Sequence, residues 1–107
     1  MTRMYVVVPC YNEEAVLMET ASRLRKKLED LTAQGRIAPG SRVLFVNDGS
    51  KDRTWELIAQ LHREQPEVFS GLKLSRNRGH QNALLAGLME AAKHADVIVS
   101  MDADLQD

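Results

Sequence analysis

Residues 97–107 read VIVSMDADLQD, and this stretch decides the fold and the chemistry of the chain. Its β-branched run at residues 97–99 predicts a short buried strand. Asp102 and Asp104 follow two positions apart, so an extended backbone points both carboxylates to the same side. Paired carboxylates repel each other unless a cation lies between them. The stretch therefore predicts a strand that ends in a site for Mg²⁺ or Mn²⁺, although the pair alone could also be solvated acids at a strand end.

Three other apolar runs upstream have the length and composition of strands. They are residues 4–8 (MYVVV, ended by Pro9), 42–46 (RVLFV) and, more weakly, 68–74. Between the runs lie segments of helical character. The first helix is predicted from an Asn12 N-cap to about Gln34, the second from a Ser50 or Asp52 cap to a point before Pro66, and the third over residues 81–94.

The elements alternate as β-α-β-α-β-α-β, which sets the fold class. Each helix is long enough to cross over between parallel strands, and such crossovers are right-handed. The sequence therefore predicts an α/β fold, a Rossmann-like, mostly parallel sheet with helices on both faces. At 107 residues the chain is one domain at most, or part of one.

Composition excludes several classes of partner. The formal net charge is −1 and there is no basic block, so nucleic acid is not expected as a partner. Cys10 is the single cysteine, cannot form an internal disulfide, and is expected to pack beside the strand without being reactive. No signal peptide and no run of about 20 apolar residues is visible, so the chain as given is expected to be soluble and cytoplasmic.

The polar clusters all follow strands. They occupy residues 9–14, 47–50, 76–80 and 102–107. Because parallel strands end at the same edge, the clusters are expected to meet there, and ligands bind such an edge where the strand order reverses. If the first and fourth strands are neighbours, Asp102 and Asp104 lie beside residues 9–14. This arrangement suits a nucleotide joined to the protein through a metal on its diphosphate.

Two common nucleotide-binding loops are missing. A dinucleotide-binding unit needs G-x-G-x-x-G after the first strand, and PCYNEE has no glycine. A Walker A loop is also absent. No glycine-rich loop is therefore available to bring the backbone close to the phosphates of a nucleotide. A metal ion and arginine side chains are expected to contact those phosphates instead.

The motifs PCYNEE (9–14), VNDGSKD (46–52), LSRNRGHQNAL (74–84) and MDADLQD (101–107) closely resemble family-2 glycosyltransferases. Within that family they are most similar to the dolichol-phosphate mannosyltransferase and bactoprenol glucosyltransferase group. The resemblance covers essentially the whole chain and implies the N-terminal, nucleotide-sugar-binding half of a GT-A fold over residues 1–107.

The resemblance also implies roles for individual residues. The base and ribose would lie against Pro9, Tyr11, Asn12 and Glu13. The diphosphate metal would be held by Asp102 and Asp104, with Gln106 as a further oxygen ligand. Asp48 would hydrogen-bond the base, although Asp48-Gly49 could also be only a turn. Arg76 would lie near the nucleotide, while Arg78 departs from the aromatic residue expected there, so which arginine faces the phosphates stays open.

The reaction implied by the resemblance is an inverting displacement at the anomeric carbon of a UDP- or GDP-linked sugar. A polyprenyl-phosphate acceptor is already anionic and needs little help from a base, whereas a hydroxyl acceptor needs one. No safe candidate for that base is visible, and it is expected beyond Asp107. The full protein is expected at the cytoplasmic face of a membrane, with membrane helices near its C-terminus.

Other interpretations remain beside this one. The chain could be a non-catalytic nucleotide-binding fragment, or an enzyme that acts on a polysaccharide hydroxyl. A receiver-like signalling domain is disfavoured because its phosphoacceptor aspartate is missing after the third strand, which ends in Leu74-Ser75-Arg76. Asp48 is expected to be exposed before nucleotide binds, and His80 is expected to have no part in the chemistry. These 107 residues are expected to bind without catalysing and to self-associate through an exposed fourth strand.

Overall fold

A computed structural model of the chain describes residues 2–103 as strictly alternating strands and helices. The strands are β1 (Met4–Cys10), β2 (Arg42–Asn47), β3 (Phe69–Lys73) and β4 (Val97–Ser100). The helices are α1 (Leu17–Ala33), α2 (Thr54–Glu64) and α3 (His80–Ala92). The predicted element order is confirmed.

The strands form one parallel sheet in the order β3-β2-β1-β4. Val7 lies near its centre, opposite Leu44 of β2 and Ser100 of β4. The chain builds outward from β1 to β2 and β3, and then returns to the other side of β1 to add β4. The strand order therefore reverses between β1 and β4, where α/β sheets bind ligands.

Apolar side chains cover both faces of the sheet, as predicted. Val8 and Phe45 pack with α1 and α2 on one face, and each such side chain contributes roughly 1.5–3 kcal/mol by burial. Val7 and Val46 face α3 on the other. A Cβ atom at Gly87 would lie 2.5 Å from Val7 Cγ1 and 2.7 Å from Val46 Cγ2, so α3 approaches the sheet closely because of this glycine.

Strand β1 runs two residues further than predicted, through Pro9 to Cys10. Pro9 has no N–H, which normally excludes it from a central strand. Backbone groups alternate sides along a strand, and Val7 O accepts the Met101 N–H on the β4 side. The missing donor of Pro9 therefore also faces β4, whose pairing with β1 ends at Val7 and Ser100. No ladder hydrogen bond is lost there.

The predicted start of the first helix is wrong. Asn12 is not its N-cap: Asn12 has a left-handed backbone (φ 53°), and α1 begins at Leu17 after Val16. The intervening residues make a turn in which Glu13 O accepts the N–H groups of Val16 and Leu17. The apolar stripe of α1 is otherwise as predicted, with Leu17, Ala21, Leu24 and Leu28 buried.

Strand β4 is less buried than its β-branched sequence predicted. It pairs with β1 on one side, and its other side has no strand partner among residues 2–103. Ile98 packs on the α3 face, whereas Val97 and Val99 on the opposite face are 45% and 40% exposed. β4 is therefore an exposed edge strand, which agrees with the expectation of an exposed fourth strand. None of the helices in the described part of the chain has the length and apolar character that crossing a bilayer requires.

Candidate functional site

A cleft of about 430 Å³ opens at the carboxyl edge of the sheet, where β1 and β4 diverge. Its lining comes from the ends of β1 and β2, the residues before and at the start of α3, and the residues after β4. These lining residues are Pro9, Cys10, Tyr11, Glu13, Asp48, Asn77, Gly79, His80, Ala83, Asp102 and Ala103.

The cleft gathers most of the residues that the sequence singled out. Those that line it are Pro9, Tyr11, Glu13, Asp48 and Asp102. Asn12 and Arg76 were predicted beside the nucleotide, but both are exposed and neither lines the cleft. Asp104 and Gln106 lie outside the described residues.

Asn12 joins the loop between β1 and α1 to the loop that follows β2 through two hydrogen bonds. Its backbone N–H donates to the Ser50 hydroxyl (3.0 Å), and its side-chain oxygen accepts the Lys51 N–H (2.8 Å). An asparagine tolerates the left-handed backbone needed here better than most residues. The side chain is thus engaged with the protein, which accounts for its absence from the cleft lining.

The start of α2 holds the next residue of the same loop. The Thr54 hydroxyl accepts the Glu13 N–H (2.9 Å) and donates to Asp52 Oδ1 (2.5 Å), and Asp52 Oδ2 accepts the Glu14 N–H (3.3 Å). Desolvation opposes ionisation of Asp52, but the hydrogen bonds that its carboxylate accepts together outweigh it and hold the pKa of that carboxyl below the usual value. The Glu13 backbone is therefore fixed at the cleft wall.

Asp48 is 3% exposed, so the expectation that it is open to solvent before nucleotide binds is wrong. Its Oδ1 accepts the Arg78 N–H (2.6 Å) and its Oδ2 accepts the Gly79 N–H (3.1 Å). Its own N–H extends the sheet ladder by donating to Cys10 O (2.8 Å). The carboxylate therefore ties the end of β2 to the residues that precede α3.

Gly49 lets the segment between β3 and α3 lie directly against the backbone that follows β2. It has a φ of +67°, and a Cβ atom there would lie 2.3 Å from Asn77 N and 2.5 Å from Arg76 C. Both the dihedral angle and the space require glycine. Asp48 and Gly49 together place Asn77 and Gly79 in the cleft wall.

The segment after β4 carries Asp102 into the cleft. Asp102 Oδ1 lies 4.0 Å from His80 Nε2, and the two side chains are 60% and 61% exposed. The next residue, Ala103, is buried, and its carbonyl accepts a 2.5 Å hydrogen bond from the Thr20 hydroxyl of α1. Asp102 thus projects from a segment that is anchored to the core on its far side.

The described cleft lining is acidic. Its carboxylates belong to Glu13, Asp48 and Asp102, and none of the described lining residues is lysine or arginine. Within residues 2–103 no group of three metal-binding side chains is assembled. The exposed Asp102 carboxylate beside the His80 imidazole is a donor set that fits a divalent cation, with further ligands still required.

Cys10 lines the cleft without being reactive. Burial, with a smaller contribution from the Glu13 charge, raises the pKa of its thiol to about 12. Its Sγ donates to Val8 O at 3.4 Å. Because the thiolate is the nucleophilic form, the thiol is inert near neutral pH, in agreement with the sequence-based expectation.

Sequence reasoning missed His80, Asn77 and Thr20. The first two belong to the polar cluster that follows β3, so their place at the carboxyl edge was predictable, but their orientation was not. His80 was set aside from the chemistry, yet it lines the cleft beside Asp102. Thr20 carries no sequence signal, because its partner is 83 residues away.

The fold and cleft define a doubly wound α/β domain with an acidic site at its switch point. Comparison with known proteins then gives the family: the model for glycosyl transferase family 2 matches residues 5–107, and the chain belongs to this family. The expectation from the sequence motifs is confirmed.

Curated relatives support the assignment. YkoT of Bacillus subtilis, named as an uncharacterized glycosyltransferase, is 53% identical over 102 residues, which cover 95% of this chain and 30% of YkoT. An undecaprenyl-phosphate 4-deoxy-4-formamido-L-arabinose transferase of Pectobacterium atrosepticum is 35% identical over 101 residues, 94% of this chain and 28% of that protein. The chain thus spans about three tenths of the length of these relatives.

Solved structures show the same fold, that of the N-terminal part of GT-A glycosyltransferases. Mannosyltransferase PcManGT of Pyrobaculum calidifontis, in complex with GDP-Man and Mn²⁺, aligns with a TM-score of 0.72 and 24% identity over 96% of this chain and 28% of its own. S. aureus TarS 1-349, in complex with UDP, aligns with a TM-score of 0.71 and 21% identity over 95% and 27%.

Proposed function

We propose that the cleft binds the nucleoside-diphosphate part of a UDP- or GDP-linked sugar with a divalent cation, and that these 107 residues are the N-terminal donor-binding part of an inverting glycosyltransferase. The observation that carries the proposal is the acidic cleft at the switch point between β1 and β4. Family membership and the ligands present in PcManGT and TarS support it.

The charges of the cleft favour a cation as part of the ligand. A diphosphate brought beside Glu13, Asp48 and Asp102 would be repelled, and the described lining offers no lysine or arginine to offset this. A cation held by Asp102 would offset this repulsion and attract the diphosphate. The cleft therefore suits a metal-bound diphosphate better than a free one.

Each part of the lining has a role in the proposal. The exposed Tyr11 ring offers a flat face for the base, and the fixed Glu13 lies beside it near the ribose. Pro9 forms the apolar floor where β1 ends. Asp48 acts mainly through the residues that it holds, Arg78 and Gly79, while Arg76 and Asn12 act outside the cleft lining.

The proposed metal ligands are Asp102, Asp104 and Gln106. When bound, Mg²⁺ or Mn²⁺ stabilises the charge that develops on a leaving diphosphate. Asp102 contributes an exposed carboxylate at the cleft, and His80 lies beside it as a neighbouring donor. Asp104 and Gln106 are proposed on the sequence motif, since they lie outside the described residues.

The proposed acceptor of the longer protein is a polyprenyl phosphate. Support comes from the Pectobacterium relative, whose name gives an undecaprenyl-phosphate sugar transferase. A phosphate oxygen is anionic near neutral pH, so the proposed acceptor does not depend on a general base in this chain. A lipid acceptor also places the longer protein at a membrane, with the donor site on the cytoplasmic face.

Calorimetry tests the donor-binding proposal. UDP and GDP are titrated into the 107-residue chain with Mn²⁺ and then with EDTA. We expect tighter binding with Mn²⁺, and loss of most of that gain in Asp102→Asn and in Asp104→Asn. Asp96→Asn is the matched control, because Asp96 is an exposed aspartate that precedes β4 at the opposite edge of the sheet. Equal affinity in Mn²⁺ and EDTA for both nucleotides contradicts the proposal.

A further inference from the structure

We propose that Thr20 is a positioning residue for the cation site: its hydroxyl holds the backbone of Ala103, the residue that follows Asp102. The inference rests on the proposed function, because it assumes that Asp102 binds the cation. It assigns a part in the site to a helix that contributes no residue to the cleft lining.

The geometry of the contact is specific. Thr20 is completely buried on α1, and its Oγ1 donates to the carbonyl of Ala103 at 2.5 Å. Ala103 is itself buried in the core that α1 forms with the sheet. Ala103 directly follows Asp102, so the contact fixes the backbone beside the Asp102 carboxylate.

The contact departs from what threonines in helices usually do. A helical threonine hydroxyl commonly bonds the carbonyl four residues earlier, and Thr32 of the same helix does this with Leu28 O (2.8 Å). Thr20 instead donates to a residue 83 positions away. The Thr20 hydroxyl thus joins two segments that are distant in sequence and does not bond a carbonyl of its own helix.

The segment that carries Asp102 has little other support. β4 ends at Ser100, and the last ladder-like bond runs from Met101 N–H to Val7 O (3.0 Å). Past Met101, the Asp102 side chain is mostly exposed, with His80 4.0 Å away. Among contacts within residues 2–103, the Thr20 hydroxyl, the burial of Ala103 and the packing of Met101 against the same core hold the segment in place. Ligands held on a fixed backbone need no reordering when a cation binds, which is how supporting groups strengthen metal affinity.

The test compares Thr20→Val, which removes the hydroxyl at nearly constant shape, with Thr20→Ser, which keeps it. Thr32→Val is the matched control, because it makes the same change on the same helix at a local bond. Mn²⁺ affinity is measured by electron paramagnetic resonance of free Mn²⁺ in the presence of UDP or GDP. Nucleotide affinity in EDTA and thermal unfolding are measured in parallel.

We expect Thr20→Val to weaken Mn²⁺ binding about tenfold, in the range seen when groups supporting metal ligands are lost. Its nucleotide affinity in EDTA stays within about twofold of wild type, because Thr20 does not line the cleft. Thr20→Ser and Thr32→Val keep wild-type Mn²⁺ affinity. If Thr20→Val does not fold, Thr20→Ala is compared with Thr20→Ser in its place.

The outcomes separate this inference from the proposed function. Wild-type Mn²⁺ affinity in Thr20→Val, with or without a lower melting temperature, means that Thr20 only stabilises the fold and overturns the inference alone. Equal weakening in Thr20→Ser and Thr20→Val also overturns it, because the hydroxyl then does not matter. No Mn²⁺ binding by the wild-type chain overturns the proposed function, and the inference with it.

Discussion

The Asp48 carboxylate accepts the Arg78 backbone N–H at 2.6 Å, across 30 residues of chain. This bond joins the end of β2 to the loop that leads into α3, and Gly79 donates to the same carboxylate at 3.1 Å. The buried Asp48 carboxylate thus supports the cleft wall by binding backbone N–H groups of the protein. It does not have both oxygens available for a ligand. Charged acceptors make stronger hydrogen bonds than neutral ones, so this contact is a main support of the site.

Asp48→Ala is therefore expected to affect both stability and binding. Removal of the carboxylate leaves the Arg78 and Gly79 N–H groups without their partner, at a cost of about 1–3 kcal/mol in the free energy of unfolding. Nucleotide affinity falls as well, because the loop loses its position in the cleft wall. Urea unfolding and calorimetry measure the two effects.

Asp96→Ala is the control for this experiment. Asp96 also accepts a backbone N–H, that of Arg3 at 3.0 Å, but it is exposed and lies at the amino edge of the sheet. We expect a change within about 0.5 kcal/mol and unaltered nucleotide affinity. Equal destabilisation by the two substitutions would show that burial of Asp48 adds nothing.

Gly49→Ala is expected to push the residues before α3 away from the cleft. A methyl group there would meet Asn77 N at 2.3 Å and Arg76 C at 2.5 Å, and these are backbone atoms. Gly35 is the matched control: its φ of +72° is nearly the same, but nothing lies within 4 Å of its added Cβ atom. Both substitutions pay about 1–2 kcal/mol for the left-handed backbone.

The difference between the two glycine variants isolates the clash. We expect Gly49→Ala to be the less stable in urea, and to lose nucleotide affinity that Gly35→Ala retains. Identical unfolding curves for the two variants would mean that the loop moves aside without cost, and that Gly49 is needed only for its dihedral angle.

The fold could be predicted from the sequence because its signals are local. Each apolar run, and the apolar stripe from Leu17 to Leu28, can be recognised from neighbouring residues alone. Four predicted strands that alternate with three predicted helices are compatible with one architecture, a mostly parallel sheet covered by helices. The details of the site depend on contacts between distant segments. Asp48 was expected to be exposed because nothing near it in sequence shows that Arg78 and Gly79 donate to it.

The same limit explains the other differences. Asparagine is a residue type favoured at helix N-caps, but the actual partners of Asn12 are Ser50 and Lys51 of another loop. Residues 97–99 have the composition of a buried strand, whereas the sheet order makes β4 an edge strand, in agreement with the expectation of an exposed fourth strand. Patterns predict which face of an element is apolar, whereas the packing of distant elements decides whether that face is covered.

The Cys10 thiol is expected to make stability pH-dependent at alkaline pH. Burial raises its pKa from the ordinary 9.0 to about 12, so the folded chain binds this proton more tightly than the unfolded chain. The stability that follows is fully present below pH 9 and is lost as pH rises from 9 towards 12. Cys10→Ala should have a flatter profile of unfolding free energy than wild type in this window.

Thiol modification gives an independent measurement of the same property. Since Cys10 is the single cysteine, a maleimide reagent reports on it alone. We expect slow modification of the folded chain at pH 8 and fast modification in urea, because the reactive thiolate is suppressed and the group is buried. Rapid modification of the folded chain would contradict the raised pKa.

Strand β4 forms one edge of the sheet. Its outer backbone groups have no strand partner among residues 2–103, and Val97 and Val99 expose apolar surface beside them. Such an edge pairs readily with a second copy, and natural edges are often protected by lysine. We expect the 107-residue chain to self-associate reversibly, and Val99→Lys to shift it to the monomer in sedimentation velocity.

Met89→Lys separates edge pairing from general apolar attraction. The Met89 side chain is more exposed than that of Val99, but Met89 lies on α3, away from a strand edge. If association proceeds through β4, Met89→Lys leaves it intact while Val99→Lys removes it, because only the latter places a charge beside the unpaired ladder. If both substitutions dissociate the chain equally, the attraction is not specific to the edge, and a wild-type chain that stays monomeric at all concentrations excludes edge pairing altogether.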